Sequence, residues 1–180
     1  MLVEAAARIL EQHGPGGFTT NAVAGRAGVS IGSLYQYFPG KEALIGALIV
    51  RETGQLIADW ERDATAPDGA QALTDMIGSA VAHQLKRPAL ARLLDVEEAR
   101  LPFDRDTRRV SDRLRALLLE VLARPDLPHQ PDPEVAAADV LAIIKGMIDA
   151  AGERGEGDQP LLVRRVRRAV DGYLNSSDHV

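Results

Sequence analysis

The sequence predicts an all-α chain of about nine helices: a small N-terminal head of three helices, followed by a larger helical domain. Three observations lead there. Apolar residues recur three and four apart along nearly the whole length, and no segment sustains the alternation of a half-buried strand. Glycine, proline and Ser/Thr/Asp caps cut that pattern at intervals. Finally, the stretch TTNAVAGRAGVSIGSLYQYFPGKEALIGAL, residues 19–48, falls into a helix, a glycine turn, a short serine-capped helix and the start of a third. That last pattern is a helix-turn-helix, a device for laying a short helix into the major groove of DNA.

Taken in order, helix one is expected from about Leu2 to Gln12, with Leu2, Ala6, Ile9 and Leu10 on one face, and the run His13-Gly14-Pro15-Gly16-Gly17 stopping it. Helix two starts at the Thr19/Thr20 cap and ends at Gly28. Helix three starts at the Ser30 cap and ends near Phe38, because the residue before Pro39 is disfavoured in helical conformation. Helix four is long, about Lys41 to Ala64, with Leu44, Leu48, Leu56 and Trp60 marking its buried side and Ile45, Ile49 and Ile57 beside them. After the turn Ala66-Pro67-Asp68-Gly69, helix five runs to about Lys86, and Pro88 opens helix six. Helix seven, about Asp104 to Ala123, points Val110, Leu114, Leu117, Leu118, Val121 and Leu122 inward. A proline-rich loop from Pro125 to Pro133 leads to helix eight, about Glu134 to Ala151. Gly152 to Gln159 reads as a flexible charged linker, helix nine spans Leu161 to Leu174, and the tail from Asn175 to Val180 is expected to fray.

With 180 residues, 46% apolar and 26% charged, the composition suits a folded globular chain, and with aromatics at 4% the core must rest on Leu, Val, Ile and Ala. There is no cysteine, which excludes disulfides and thiolate metal sites and fits a reducing cytoplasm. The opening residues go straight into an amphipathic helix with no basic leader, and no uncharged apolar run is long enough to span a bilayer. The expected location is therefore cytoplasmic, without membrane contact. The net charge of −5 is unusual for a nucleic-acid binder, and residues 1–50 balance Arg8, Arg26 and Lys41 against Glu4, Glu11 and Glu42. Phosphate attraction supplies much of DNA affinity, so binding must rest on locally placed donors and on doubling the site.

Within the motif, Gly28 takes a positive φ at little cost, Val29 plugs the angle between the helices, and Ser30 caps helix three while offering its hydroxyl to a phosphate. Gly32, lacking a side chain, lets the backbone approach DNA. Leu34 and Phe38, four apart, should pack inward, which leaves Ser33, Tyr35, Gln36 and Tyr37 on the outer surface. Hydroxyls suit phosphates, glutamine can read adenine, and Lys41 stands at the start of helix four for a backbone phosphate.

The residues TTNAVAGRAGVSIGSLYQYFPGKEAL closely resemble the DNA-binding signature of the TetR/AcrR family of bacterial transcriptional regulators. The resemblance implies a helix-turn-helix DNA-binding domain over residues 1–45 and an effector-binding and dimerisation domain over 46–180. It implies that Thr20 caps helix two at a phosphate, that Ser30, Tyr35, Tyr37 and Lys41 contact the DNA backbone, and that Ile31, Gly32, Ser33 and Gln36 face the groove. Ile31 stands where many members carry a polar or charged residue, so an apolar contact such as a thymine methyl is expected there. The basic arm that often precedes helix one is absent, through truncation of the chain or because this member does without it.

A two-fold homodimer would set two reading helices one DNA turn apart, on a palindromic operator in double-stranded DNA. Helices eight and nine are expected to form its interface through Val140, Ile144, Met147, Leu162, Val166, Ala169, Val170 and Tyr173, the competing reading being that these faces are internal core. Arg164, Arg165, Arg167 and Arg168 are read as the solvated face opposite that stripe. For a small-molecule effector, the pocket candidates are Trp60, Met76, His83, Glu97 and Met147. The resulting expectation is a repressor released from its operator by a ligand. The alternative is a helical ligand-binding or interaction protein whose DNA binding is weakened or lost. No hydrolase, phosphate-loop or metalloprotease motif is present, and His13, His83, His129 and His179 show no ligand spacing, so neither enzyme, cofactor nor metal is expected.

Overall fold

The computed structural model describes residues 1–98 and 105–176. Among the described residues there are nine α-helices and no strand: α1 (Leu2–Gly17), α2 (Thr20–Ala27), α3 (Ile31–Tyr37), α4 (Lys41–Asp63), α5 (Gly69–Lys86), α6 (Pro88–Glu98), α7 (Arg105–Leu122), α8 (Pro133–Glu153) and α9 (Gln159–Asn175). The expected start of helix seven at Asp104, the tail beyond Ser176 and His179 lie outside the described residues.

The chain divides into two compact units, Met1–Gly54 with Arg87–Arg109, and Gln55–Lys86 with Val110–Val180. This packing division differs from a split at residue 45/46. Leu90 and Leu94 of α6 are buried in the same apolar cluster as Ala6, Leu10, Leu44 and Leu48, so a helix far along the chain completes the N-terminal unit. A motif marks where local signals stop, and burial follows contacts that those signals do not encode.

In the first unit the regular part of α1 runs to about His13, close to the expected end, and a further turn carries the element to Gly17. Gly14 adopts φ 61° and ψ −173°, a conformation open to glycine alone, and Pro15 restarts the helix for one turn to Gly17. The breaker run therefore ends the regular helix, as expected, and a further single turn follows behind the kink. Charge then fastens α1 to the start of α6. Arg87 donates two hydrogen bonds to Glu11, at 2.8 and 2.6 Å, and lies 3.5 Å from Glu4, which also accepts from Arg51 at 3.0 Å. The bidentate bond from Arg87 holds the Glu11 carboxyl below its ordinary range against an opposing push from burial. At Glu4 burial pushes the carboxyl up, but the charges of Arg87 and Arg51 outweigh it, and the net shift is downward.

The second unit is cored by Trp60, Leu73, Met76, Ile77, Leu117, Leu118, Val121, Val140, Ile144, Val166 and Val170, all 2% exposed or less. The indole N–H of Trp60 donates to the Met76 carbonyl at 2.8 Å, which satisfies the one polar atom of a side chain that is otherwise wholly enclosed. The loop after α7 is pinned: Arg124 donates to the carbonyls of Ala64 and Ala66, and Asp126 accepts from the Ala70 amide at 3.0 Å at the open end of α5. Backbone hydrogen bonds, chiefly from Gly69, hold the Asp126 carboxyl below its usual range despite desolvation. Asp132 and Asp158 cap α8 and α9 ahead of Pro133 and Pro160. The segment between them, expected to be a flexible linker, is tied by Glu156, which pairs with Arg154 at 2.7 Å and Arg165 at 2.6 Å.

The four arginines of α9 also divide. Arg164 and Arg168 are exposed, whereas Arg167 turns inward, donating to the Ala70 carbonyl and the Thr74 hydroxyl of α5 and to Asp171. Arg167 lies three residues from the buried Val170, at the border of the apolar stripe, and its stem is long enough to reach the neighbouring helix end.

Candidate nucleic-acid interface

The turn between α2 and α3 is closed by Gly28, which sits in the left-handed region (φ 67°, ψ 30°) with its N–H directed at the carbonyls of Ala24 and Gly25, while Val29 donates to Ala24 at 3.1 Å. Val29 is half-buried against the first unit's core, as a plug between two helices should be, and Leu34 is fully buried. Both short helices are capped by side chains. Thr19 accepts from the Ala22 amide at 3.1 Å, and Ser30 accepts from the Ser33 amide at 3.0 Å. The cap of α2 is thus Thr19, not Thr20: the first residue with helical geometry is Thr20, so the capping oxygen must come from the extended residue before it.

Thr20 is engaged differently. Its hydroxyl lies 3.3 Å from the Tyr35 hydroxyl, linking the first turn of α2 to the middle of α3. Ser30 and Ser33 pair their hydroxyls at 2.9 Å. Ile31, Gly32, Tyr35, Gln36 and Tyr37 are exposed and Ser33 is half-buried, so the seven-residue α3 buries Leu34 and presents most of the rest outward. The face is polar and carries no formal charge of its own. Lys41 does not extend freely from it: the ammonium donates to the Pro15 carbonyl at 3.0 Å and lies 5.7 Å from the centre of the Phe18 ring, where the kinked end of α1 passes. Arg26 is exposed, with its guanidinium 3.1 Å from the neutral Gln12 amide oxygen. The sequence leaves the cap of α2 shared between Thr19 and Thr20 and gives Arg26 only as one of the head's cations. The tandem Thr19-Thr20 marked a cap without saying which residue supplied it, and nothing local placed Arg26 beside Gln12.

This geometry is accompanied by similarity over both parts of the chain. Residues 2–48 match the model of bacterial regulatory proteins of the tetR family, and residues 70–174 match the model of tetracyclin repressor-like C-terminal domains. The chain belongs to the TetR family of bacterial regulatory proteins. It is similar to the uncharacterized HTH-type transcriptional regulator YobS of Bacillus subtilis (strain 168), 29% identical with 100% of this chain and 94% of that protein covered. It is also similar to the nucleoid occlusion factor SlmA of Marinomonas sp. (strain MWYL1), 28% identical with 82% and 79% covered. Among solved structures, the regulator FadR of Bacillus subtilis in complex with stearoyl-CoA shares the fold, with a TM-score of 0.80, 18% identity, and 98% and 97% of the two chains covered. The TetR-family head described above is thus a helix-turn-helix DNA-binding domain, and the chain is a transcriptional regulator.

In the larger part of this TetR-family chain, the sequence-derived pocket and interface residues meet mixed outcomes. Trp60 and Met76 are 1% and 0% exposed and are bonded to each other, so they are packed core. His83 and Met147 are half-buried in the second unit, whereas Glu97, 9% exposed, belongs to the first. Of two surface clefts in the second unit, one of about 740 Å³ lies by Gln130, Val135 and Tyr173 and one of about 440 Å³ by Asp63, Ser79 and Val163. None of the five pocket candidates lines either cleft. Of the interface candidates, Val140, Ile144, Leu162, Val166 and Val170 are enclosed within their own subunit, because α5, α8 and α9 share one apolar cluster. They are corrected to core. Met147, Ala169 and Tyr173 stay partly open, alongside the exposed Val135 and Leu161.

Proposed function

We propose that this regulator is a cytoplasmic repressor that holds a palindromic operator as a homodimer and leaves it when a small effector binds. The observation that carries the reading is the polar face of α3, displayed by a capped, glycine-turned helix pair in a chain matched along both its parts to one regulator family. Residues 1–45 read the DNA and residues 46–180 bind the effector and dimerise. Within the head, Ser33 and Gln36 face base edges beside Ile31 and Gly32. Tyr37 directs its hydroxyl to a phosphate, as do Thr20, Ser30 and Tyr35 through the hydroxyl hydrogen that each of the pairs Thr20–Tyr35 and Ser30–Ser33 leaves over. Lys41 serves mainly to lock the end of α1, with its remaining N–H groups available to a phosphate.

The dimer face uses the partly open Met147, Ala169 and Tyr173 with Val135 and Leu161. The buried stripe beneath them keeps α8 and α9 rigid. His83, half-buried in the second unit though lining neither cleft, is kept as the candidate for an effector contact. The ligand acts by binding one arrangement of the dimer more tightly than the one that fits the operator, since only differential affinity shifts such an equilibrium. The solved relative with stearoyl-CoA supports a ligand-holding role for a domain of this fold.

The test is fluorescence anisotropy of the purified chain on its own upstream DNA at two salt concentrations. Nanomolar binding with two chains, or a multiple of two, per palindrome supports the reading. Weak, sequence-blind binding abolished by salt supports instead a chain that has lost operator recognition, a reading favoured by the neutral head and the engaged Lys41.

A further inference from the structure

Ile31 is the one aliphatic side chain displayed by the reading helix. It is 37% exposed at the first position of α3, directly after the Ser30 cap, and its branching at Cβ restricts its rotamer. Its surroundings leave it little polar company. At the next residue, Gly32, a side chain would meet only the Ser30 hydroxyl, at 3.8 Å, so the surface beside Ile31 is open backbone. The hydroxyls of Ser30 and Ser33 are turned to each other, and Tyr35 is paired with Thr20. The hydrogen-bonding group best placed to read a base edge, Gln36, lies more than one helical turn further on.

On the major-groove edge of a pyrimidine the one apolar feature is a C5-methyl group. A branched hydrocarbon makes no hydrogen bond, so it cannot distinguish the O4 of thymine from the N4 of cytosine. It senses only whether the methyl is present. We propose that Ile31 reads a 5-methylpyrimidine, so that operator affinity responds to cytosine C5-methylation at the base pair it faces. This inference rests on the reading of the head as an operator-binding domain. It adds to that reading a regulatory input at the DNA itself, because 5-methylcytosine and thymine then count alike while unmethylated cytosine counts as a gap.

The experiment begins with duplexes selected by the full chain from a random-sequence library of unmodified DNA. In the selected palindrome each symmetric thymidine pair is replaced in turn by deoxyuridine. At the sensitive position the base pair is then rebuilt with deoxycytidine or 5-methyldeoxycytidine. Burying one methyl group against Ile31 predicts about fourfold weaker binding per half-site when it is removed, and about fifteenfold for both half-sites. The expected result is one symmetric thymine with that loss on deoxyuridine, a gain of the same size from deoxycytidine to 5-methyldeoxycytidine, and both effects absent in Ile31→Ala, whose circular dichroism melt serves as the fold control. Deoxyuridine tolerated at every position by the unsubstituted chain would overturn the inference while leaving the operator reading intact. So would a sensitivity that persists in Ile31→Ala, or one that distinguishes thymine from 5-methylcytosine. A library that yields no preferred sequence would overturn the operator reading and the inference with it.

Discussion

Two glycines four residues apart in the head should respond to the same substitution with opposite signs. Gly28 sits at φ 67° with nothing within 4 Å of the place where a Cβ would stand. An alanine there meets no neighbour, so its whole cost is the left-handed backbone conformation, about 1–2 kcal/mol. Asparagine tolerates that region and should cost less than half as much. Gly32 lies inside α3 with negative φ and only the Ser30 hydroxyl nearby, at 3.8 Å. Alanine there relieves part of the glycine penalty and should stabilise the helix by about 0.5 kcal/mol, less than an interior position because it lies in the first turn. Amide hydrogen exchange at Leu34 and Phe38, whose N–H groups close α3 on Ser30 and Leu34, reads the opening free energy directly. Gly28→Ala should accelerate exchange about five- to thirtyfold, Gly28→Asn by a few-fold at most, and Gly32→Ala should slow it about twofold. Gly32→Ala should nonetheless weaken DNA binding, because its methyl stands where the backbone approaches the groove. Equal exchange rates for Gly28→Ala and Gly32→Ala, or a larger cost for Gly28→Asn than for Gly28→Ala, would refute the reasoning.

Glu11, whose ordinary value is 4.5, is lowered in the folded chain, so the stability it contributes with Arg87 is whole above that value and is lost as pH falls through the depressed one. Glu11→Gln should cost about 0.5–1 kcal/mol at neutral pH, a modest figure because both side chains are about a quarter exposed, and urea midpoints should converge with those of the unsubstituted chain once pH has fallen through the lowered value. A gap that stays constant as pH falls through that value would contradict the assignment. Ile144→Ala, at a position 2% exposed, should destabilise the second unit by about 2–5 kcal/mol in denaturant melts. Met147→Glu, at a half-buried position on the rim of that core, should cost the fold less than Ile144→Ala and shift sedimentation toward the monomer. The reverse pattern would return Ile144 to the dimer face. Tyr37→Ala should weaken binding to all DNA sequences alike, whereas Gln36→Ala should relax preference at one base pair. Altered sequence choice in Tyr37→Ala alone would invert the sorting of contacts.

The head was legible because its determinants are local. Gly28 needs a positive φ, Ser30 needs a free amide three residues on, and Pro39 forbids a helical Phe38, and each of these acts within a turn of itself. The larger part was legible as helices but not as surfaces. Val140, Ile144, Leu162, Val166 and Val170 form true apolar stripes, but periodicity reports that a face is covered without saying by what. The cover proved to be the chain's own helices. Long-range partners were equally silent: nothing near Lys41 announces the Pro15 carbonyl 26 residues earlier, and nothing near Arg87 announces Glu11. Trp60 and Met76 looked like pocket residues because each is large and lies on an apolar face, the same qualities that make them core.

The few cations of the head set a ceiling on how DNA affinity can depend on salt. Each phosphate neutralised by a lysine or arginine adds about −0.9 to the slope of log K against log salt, whereas hydroxyl and amide contacts add little. Of the three cations among residues 1–50, Arg8 is paired with Glu4, which leaves Arg26 and Lys41, and Lys41 already gives one N–H to Pro15. A dimer drawing on both residues in each subunit would neutralise four phosphates, so the slope should be no steeper than about −4. Non-specific affinity, which is almost wholly electrostatic, should then be low, and discrimination should come from Gln36, the hydroxyls and Ile31 rather than from a strong common attraction. Titrations from low to moderate salt on operator and scrambled duplexes measure both quantities. A slope near −8 would mean that arginines or lysines outside the head meet the backbone, and the account of a hydroxyl-lined, nearly neutral interface would have to be abandoned.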